Sequence, residues 1–276
     1  MSLTLLAVHA HPDDESSSTG GVLARYAAEG IRTVLVTCTN GEYGDGPGHV
    51  KPGEPGHDPA AVAATRLTEL DAACAHLGVA VSERLGYHDS GMPDWSFKDG
   101  GHVFANVAFD EPVDRLCGLF ERHRPDVVVT YDNLGIYNHP DHVRAHEIAV
   151  AATERTAIPA KLYYTARRRS DWERMRERAE AAGLELPMPA RAELPPALLE
   201  RLAEADARIT TTVDVSAFVD RKRAALAAHA SQLDESWFVR FPPELFAEAF
   251  GVETFIRAVD RTGAPVPESD LFAGLR

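Results

Sequence analysis

Ala10-His11-Pro12-Asp13-Asp14-Glu15 directly follows Leu3 to Val8, an apolar run that reads as a buried strand. Pro12 lacks a backbone N–H and has a fixed φ, so the strand must end there. Thr19 to Glu29 has a helical pattern that closes at Gly30. One imidazole and three carboxylates therefore sit at the C-terminal end of the first strand, where open α/β sheets bind ligands. Ile31 to Thr37 is a second apolar, β-branched run, parallel to the first if the helix between them is a right-handed crossover. Asp126 to Tyr131 reads as another buried strand, and the chain leaving it contains His139-Pro140-Asp141-His142. A second His-Pro-Asp at a second strand end is what an active site on this sheet would need.

The intervening segments fit the same frame. Gly41 to Asp58 is rich in glycine and proline and leaves the sheet edge that carries His11, so it reads as a pocket wall. Asp58-Pro59 opens a helix that runs to Gly78. Val79 to Leu85 is a third strand, and Gly86 to Trp95 a polar loop. Past Pro159 the pattern changes to a strand at Lys161 to Ala166 and a charged helix at Arg167 to Ala182. A connector with four prolines follows, Gly183 to Pro196. Then come a β-rich run from Ile209 to Val215 and an amphipathic helix from Val219 to Gln232, on which Lys222 and Arg223 read as solvated charges. The expected fold is α/β, Rossmann-like and three-layered, with a mostly parallel sheet. Residues 1–159 would form the catalytic region and residues 160–276 a smaller α+β cap over the active site.

Composition narrows the function classes. The 276 residues carry 28 basic and 42 acidic side chains, a net charge of −14, which argues against nucleic acid and anionic membranes as partners. No apolar run approaches a membrane span. Met1 to Val8 has neither a basic region nor a cleavage site, and three scattered cysteines suit a reducing compartment, so the expected location is cytoplasmic. Neither G-x-G-x-x-G after the first strand nor G-x-S-x-G is present, which counts against dinucleotide binding and a serine hydrolase.

The chemistry that remains is that of a divalent metal. His11 and Asp14, three apart, can face one point as the chain enters its helix. Asp13 must point elsewhere, which suits a general base beside a metal. A catalytic zinc takes about three protein ligands and an open position. The third must come from another strand end, where His139 and His142 are the candidates. If His142 binds, His139 is free to act as acid or oxyanion donor, with the charge of Asp141 holding it protonated. Tyr137 can offer a phenol O–H to an oxyanion. Glu15 reads as a helix-dipole partner or an acceptor behind the ligands.

Ala10-His-Pro-Asp-Asp-Glu15 with His139-Pro-Asp-His142 resembles the LmbE-like (PIG-L) family of zinc N-deacetylases. Val36-Thr-Cys-Thr39, Asp89-Ser-Gly-Met92 and Asp270 to Leu275 resemble its actinobacterial branch, which holds a mycothiol-pathway N-acetylglucosaminyl-inositol deacetylase and the mycothiol S-conjugate amidase. The resemblance implies one zinc per chain on His11, Asp14 and His142, with iron(II) an alternative in a reducing cytoplasm. It implies Asp13 as base, His139 tuned by Asp141 as acid or electrostatic stabiliser, and a mobile tyrosine at Tyr137. Arg66 and Asp89 fall where the family deacetylase grips sugar hydroxyls. The amidase branch has a lysine near Ser18, which Ser16 to Thr19 lacks, so the wording leans to a deacetylase of a small amino-sugar conjugate. Whether the chain forms a homo-oligomer is left open.

Overall fold

Every residue of β1 (Thr4–His9) is buried in the computed structural model of the chain, which describes residues 3–184, 196–233 and 241–276. A strand buried on both faces needs helices above and below it. α1 (Asp14–Ser18) and α2 (Gly20–Ala28) lead to β2 (Arg32–Thr39), and α3 (Pro59–Leu77) to β3 (Val81–Tyr87). α4 (Asp110–His123) leads to β4 (Val127–Thr130), and the short turn α5 (Gly135–Asn138) with α6 (Pro140–Thr156) to β5 (Lys161–Ala166). α7 (Arg169–Ala181), α8 (Pro196–Ala207), β6 (Thr211–Asp214), α9 (Val219–Ala228), α10 (Ala230–Leu233), α11 (Pro243–Phe250) and β7 (Val252–Asp260) follow.

The seven strands form one sheet in the order β3-β2-β1-β4-β5-β7-β6. β1 to β5 pair in parallel, while β7 runs antiparallel to both β5 and β6. This is the expected mostly parallel α/β sheet. Residues after 160 extend it by three strands, and α9 packs back on α1, α2 and α3. The chain moves outward from β1 to β3, then returns to place β4 on the other side of β1. The crevice between the C-terminal ends of β1 and β4 is thus the switch point of the sheet. The faces are covered separately: Leu5, Ala7 and Val129 pack with Val22, Leu23 and Leu70, and Leu6, Val8 and Val128 with Leu116, Phe120 and Ile148.

Helix boundaries follow local chemistry. The Asp58 carboxylate accepts from the N–H groups of Ala60 and Ala61, Pro59 opens α3, and Gly78 closes it at φ 74°. Val79, expected in the third strand, instead gives its N–H to Cys74 O at 3.0 Å and completes the helix cap, so β3 starts later. The expected helix from Val219 to Gln232 breaks at His229, between α9 and α10. Lys222 is not solvated: it is 1% exposed, with Nζ 2.6 Å from Glu253 Oε1. Glu253 also caps α2, accepting from Gly21 and Val22. The proline connector falls largely in residues 185–195, outside the described ones. No helix among the described residues is long and apolar enough to cross a membrane.

Candidate active site

β1 delivers His11 and Asp14 to the crevice, and the start of α6 delivers His142 from the far side. Pro140 opens α6, and His139 caps it by accepting the Asp141 N–H on Nδ1 at 3.2 Å. His11 Nδ1, Asp14 Oδ2 and His142 Nε2 form a triangle: 3.3 Å from His11 to Asp14, 3.4 Å from Asp14 to His142, and 3.2 Å from His11 to His142. Ligands about 2.0–2.1 Å from a tetrahedral ion stand about 3.3–3.4 Å from one another. The triangle therefore has the edges of one face of such a shell. The three residues could hold a metal ion, and Asp14 and His142 border an open cleft of about 1060 Å³ that would leave a fourth position accessible. His139 lies close enough for one ring nitrogen to fall within 4.8 Å of the donors on His11 and His142.

What stands behind the triangle fixes its orientation. His11 Nε2 faces Asp141 Oδ2 at 3.1 Å, and Asp141 is held in turn by the Ser90 N–H at 2.9 Å and the Ser90 hydroxyl. Asp14 Oδ2 accepts from the Tyr131 hydroxyl at 2.7 Å and from the His11 N–H at 2.8 Å. The Tyr131 ring stacks on His142, centroids 4.2 Å apart and 13° from coplanar. Burial disfavours charge on both His11 and Asp14. It is overruled at His11 by Asp89, Asp14 and Asp141, which hold the ring well above its usual pKa. It is overruled at Asp14 by His142 and His11, which hold the carboxyl well below the usual range.

Asp13 is not a corner of the triangle but lines the same cleft as Asp14 and His142. Its backbone sits at φ 120°, a conformation that strains any residue with a Cβ. Its Oδ2 lies 3.0 Å from Arg66 Nη2. Burial raises its pKa, Arg66 opposes this, and the charge of Asp14 adds to it. Arg66 is itself 5% exposed, and its two terminal nitrogens donate to Gly41 O at 2.9 Å and Pro12 O at 2.7 Å. The residue that the resemblance puts on the sugar is thus, in this structure, a clamp between α3 and the loops after β1 and β2. Asp89 is buried beside the triangle, with Oδ1 3.6 Å from His11 Nε2 and accepting the Gly91 N–H at 2.7 Å.

Two expectations are revised. The Asp141 carboxylate turns to His11 and Ser90, and only its backbone N–H meets His139. His139 is consequently not held protonated: burial, then His11 and His142, push its pKa down to about 2. With Nδ1 accepting a backbone N–H, the proton of neutral His139 resides on Nε2. Tyr137 stands at the rim, half exposed, its ring 5.8 Å from that of His139. Enclosure by the cleft and the charge of Asp14 raise its pKa, so it remains a hydroxyl donor. Tyr131, the residue just past β4 at the end of an apolar run, carries no mark of its role in the sequence. Nor does His229, whose Nε2 meets Glu15 at 2.7 Å with both side chains fully buried.

Comparison with known proteins places this site in a context. Residues 6–153 match the family described as PIG-L, GlcNAc-PI de-N-acetylase. The chain is 43% identical over 237 residues to the 1D-myo-inositol 2-acetamido-2-deoxy-alpha-D-glucopyranoside deacetylase of Actinosynnema mirum, covering 83% of this chain and 80% of that one. It is 39% identical over 288 residues to the protein of the same name from Acidothermus cellulolyticus, covering 99% and 95%. Among solved structures, the N,N'-diacetylchitobiose deacetylase from Pyrococcus horikoshii superposes with a TM-score of 0.56 at 19% identity, covering 92% of this chain and 82% of that one. That last likeness concerns the fold.

Proposed function

Since this chain belongs to the PIG-L de-N-acetylase family, we propose that it is a zinc-dependent hydrolase that removes the acetyl group from an N-acetylglucosaminyl-inositol or a closely related glucosaminide. The observation that carries this reading is the His11–Asp14–His142 triangle, whose edges of 3.2–3.4 Å suit zinc. Zinc bound there supplies a Lewis acid for the amide carbonyl and lowers the pKa of the attacking water. His142 is preferred to His139 as the third ligand because His139 Nδ1 is engaged by the Asp141 N–H, whereas His142 Nε2 points at Asp14.

The chain's own groups divide the remaining work. Asp13, at the edge of the cleft, takes the proton of the attacking water and passes it to the amine nitrogen as the C–N bond breaks and acetate is released, and its raised pKa makes it the stronger base. Arg66 holds the Asp13 carboxylate in place. His139, neutral with its proton on Nε2, donates to the oxygen that gains charge as the carbonyl becomes tetrahedral. Tyr137 closes over the same oxygen from the rim. Asp141 fixes the ring of His11 through Nε2, the usual arrangement of a carboxylate behind a ligating histidine. In this reading Asp89, buried beside His11, accepts a sugar hydroxyl.

The test is amine release from 1D-myo-inositol 2-acetamido-2-deoxy-alpha-D-glucopyranoside by the zinc-loaded protein, with metal content measured in parallel. Turnover is expected to vanish on chelation and to return with zinc. Preferential cleavage of a bulky S-conjugate amide would redirect the reading to an amidase. No turnover on either amide at full zinc occupancy would overturn it.

A further inference from the structure

Glu15 has no part in the chemistry proposed above, yet its carboxylate is 0% exposed and engaged on both oxygens. Oε2 accepts the backbone N–H of Asp13 at 3.0 Å. Oε1 accepts the Ser16 hydroxyl and lies 2.7 Å from Nε2 of His229, 214 positions further along the chain. His229 is also 0% exposed. It occupies the break between α9 and α10, at φ −84° and ψ 47°, where the backbone leaves the helix and turns the imidazole inward. α9 is seated on α1, α2 and α3, so the position of His229 is set by helix packing.

The strained backbone of Asp13 gives this contact a purpose. A non-glycine residue at φ 120° is strained and persists only where its surroundings over-determine it. The surroundings hold both the side chain and the peptide group that precedes it. Arg66 grips the side chain and the preceding carbonyl, while Glu15 grips the N–H. Glu15 is a flexible side chain one step beyond an ion-ligating position, and on its own it has several rotamers to choose from. His229 removes that choice.

We infer that His229 is a positioning residue for Asp13, acting through Glu15: it locks the carboxylate that pins the Asp13 backbone and so aims the Asp13 side chain at the reacting water. The inference rests on the reading of Asp13 as the base. It makes residues after 160 part of the machinery, since the alignment of the base is set from the start of α10.

The test uses the full-length, zinc-loaded protein and near-isosteric variants. His229→Leu fills the space without a donor, and His229→Gln puts an amide N–H where Nε2 stood. His229→Leu is expected to lower kcat about 10- to 100-fold, the scale of a misaligned catalytic group. KM should stay within about twofold and zinc stoichiometry should be unchanged. His229→Gln should recover most of the lost kcat, which a packing role would not predict. Wild-type kcat in His229→Leu, equal losses in both variants, or loss of zinc in place of kcat would each overturn the inference. Should His229→Leu fail to fold, Glu15→Gln decides: a fall in kcat at constant KM supports the inference, and an unchanged kcat overturns it. Asp13→Asn separates the two readings. If it retains turnover, Asp13 is not the base. If it is inactive while His229→Leu turns over normally, only the positioning role is lost.

Discussion

Tyr131 and Tyr137 leave the same strand end a few residues apart, and the fold treats them in opposite ways. Tyr131 is fully buried, its hydroxyl accepting the Ala10 N–H at 2.8 Å and donating to Asp14 at 2.7 Å while its ring stacks on His142. Tyr137 is half exposed, between two residues with positive φ, Ile136 at 67° and Asn138 at 64°. The floor of the cleft is fixed by several contacts per residue, and the rim is held by few. Groups that must hold a cation belong on the floor, because ligand geometry tolerates little error. A group that must admit substrate and then meet it belongs on the rim.

If the floor is the part that cannot vary, breaking it should have the largest effects. His142→Ala removes one corner of the triangle and is expected to abolish turnover together with zinc binding, read by elemental analysis of the purified protein. Full zinc content in that variant would break the comparison at its base. Asp13→Asn should leave zinc bound and lower kcat by about 10²–10⁴, the range for a lost general base. Tyr131→Phe keeps the stack on His142 but strands the Ala10 N–H and frees Asp14. Zinc affinity should fall about 10- to 100-fold, as for other groups behind metal ligands. Competition with a chelator measures it, and an unchanged affinity would show that stacking alone sets the floor.

The loop after β2 lies between floor and rim. Gly41 has φ 69°, and a Cβ there would stand 2.4 Å from Arg66 Nη1. Gly41→Ala must therefore displace the guanidinium that holds Asp13 and Pro12, and it strains the backbone as well. A loss of about 1–3 kcal/mol is expected, visible as a lower Tm. A fall in kcat at full zinc occupancy should accompany it. An unchanged kcat would mean that Arg66 does not align Asp13.

The same contrast explains what the sequence made legible. Strand β1, the turn at Pro12, the cap at Asp58 and the paired His-Pro-Asp stretches are read from residues close together in the chain, because period, turn and cap chemistry act over a few positions. His11, Asp14 and His142 were visible for that reason, since each sits where a local signal ends a strand or starts a helix. The polar groups behind them were not. Tyr131 looks like any other residue of an apolar run. Lys222 looks like a solvated helix charge because its partner Glu253 lies on another element. Arg66, on a helix pattern, gives no sign that it turns inward to Pro12 and Gly41. Sequence adjacency favours His139 as the partner of Asp141, whereas the fold offers its carboxylate His11, 130 positions away. Buried polar pairs are chosen by tertiary packing, and a pattern along the chain cannot display them.

At the rim the smallest effect is expected, and it is also the most diagnostic. Tyr137→Phe removes only a hydroxyl from a side chain that is 50% exposed and whose ring stands 5.2 Å from that of His142. A fully preorganised oxyanion donor is worth about 10²–10³ in kcat, and a half-exposed one that must first close should fall short of that, at about tenfold. Zinc content and Tm should not move, since nothing on the floor depends on the phenol. The split between kinetic parameters decides what the rim is for. A donor that meets the oxygen only as charge develops there lowers kcat and leaves KM nearly alone. A wall that merely shapes the cleft raises KM and spares kcat. The second outcome would remove Tyr137 from the chemistry and leave His139 as the single side-chain donor to the developing oxyanion.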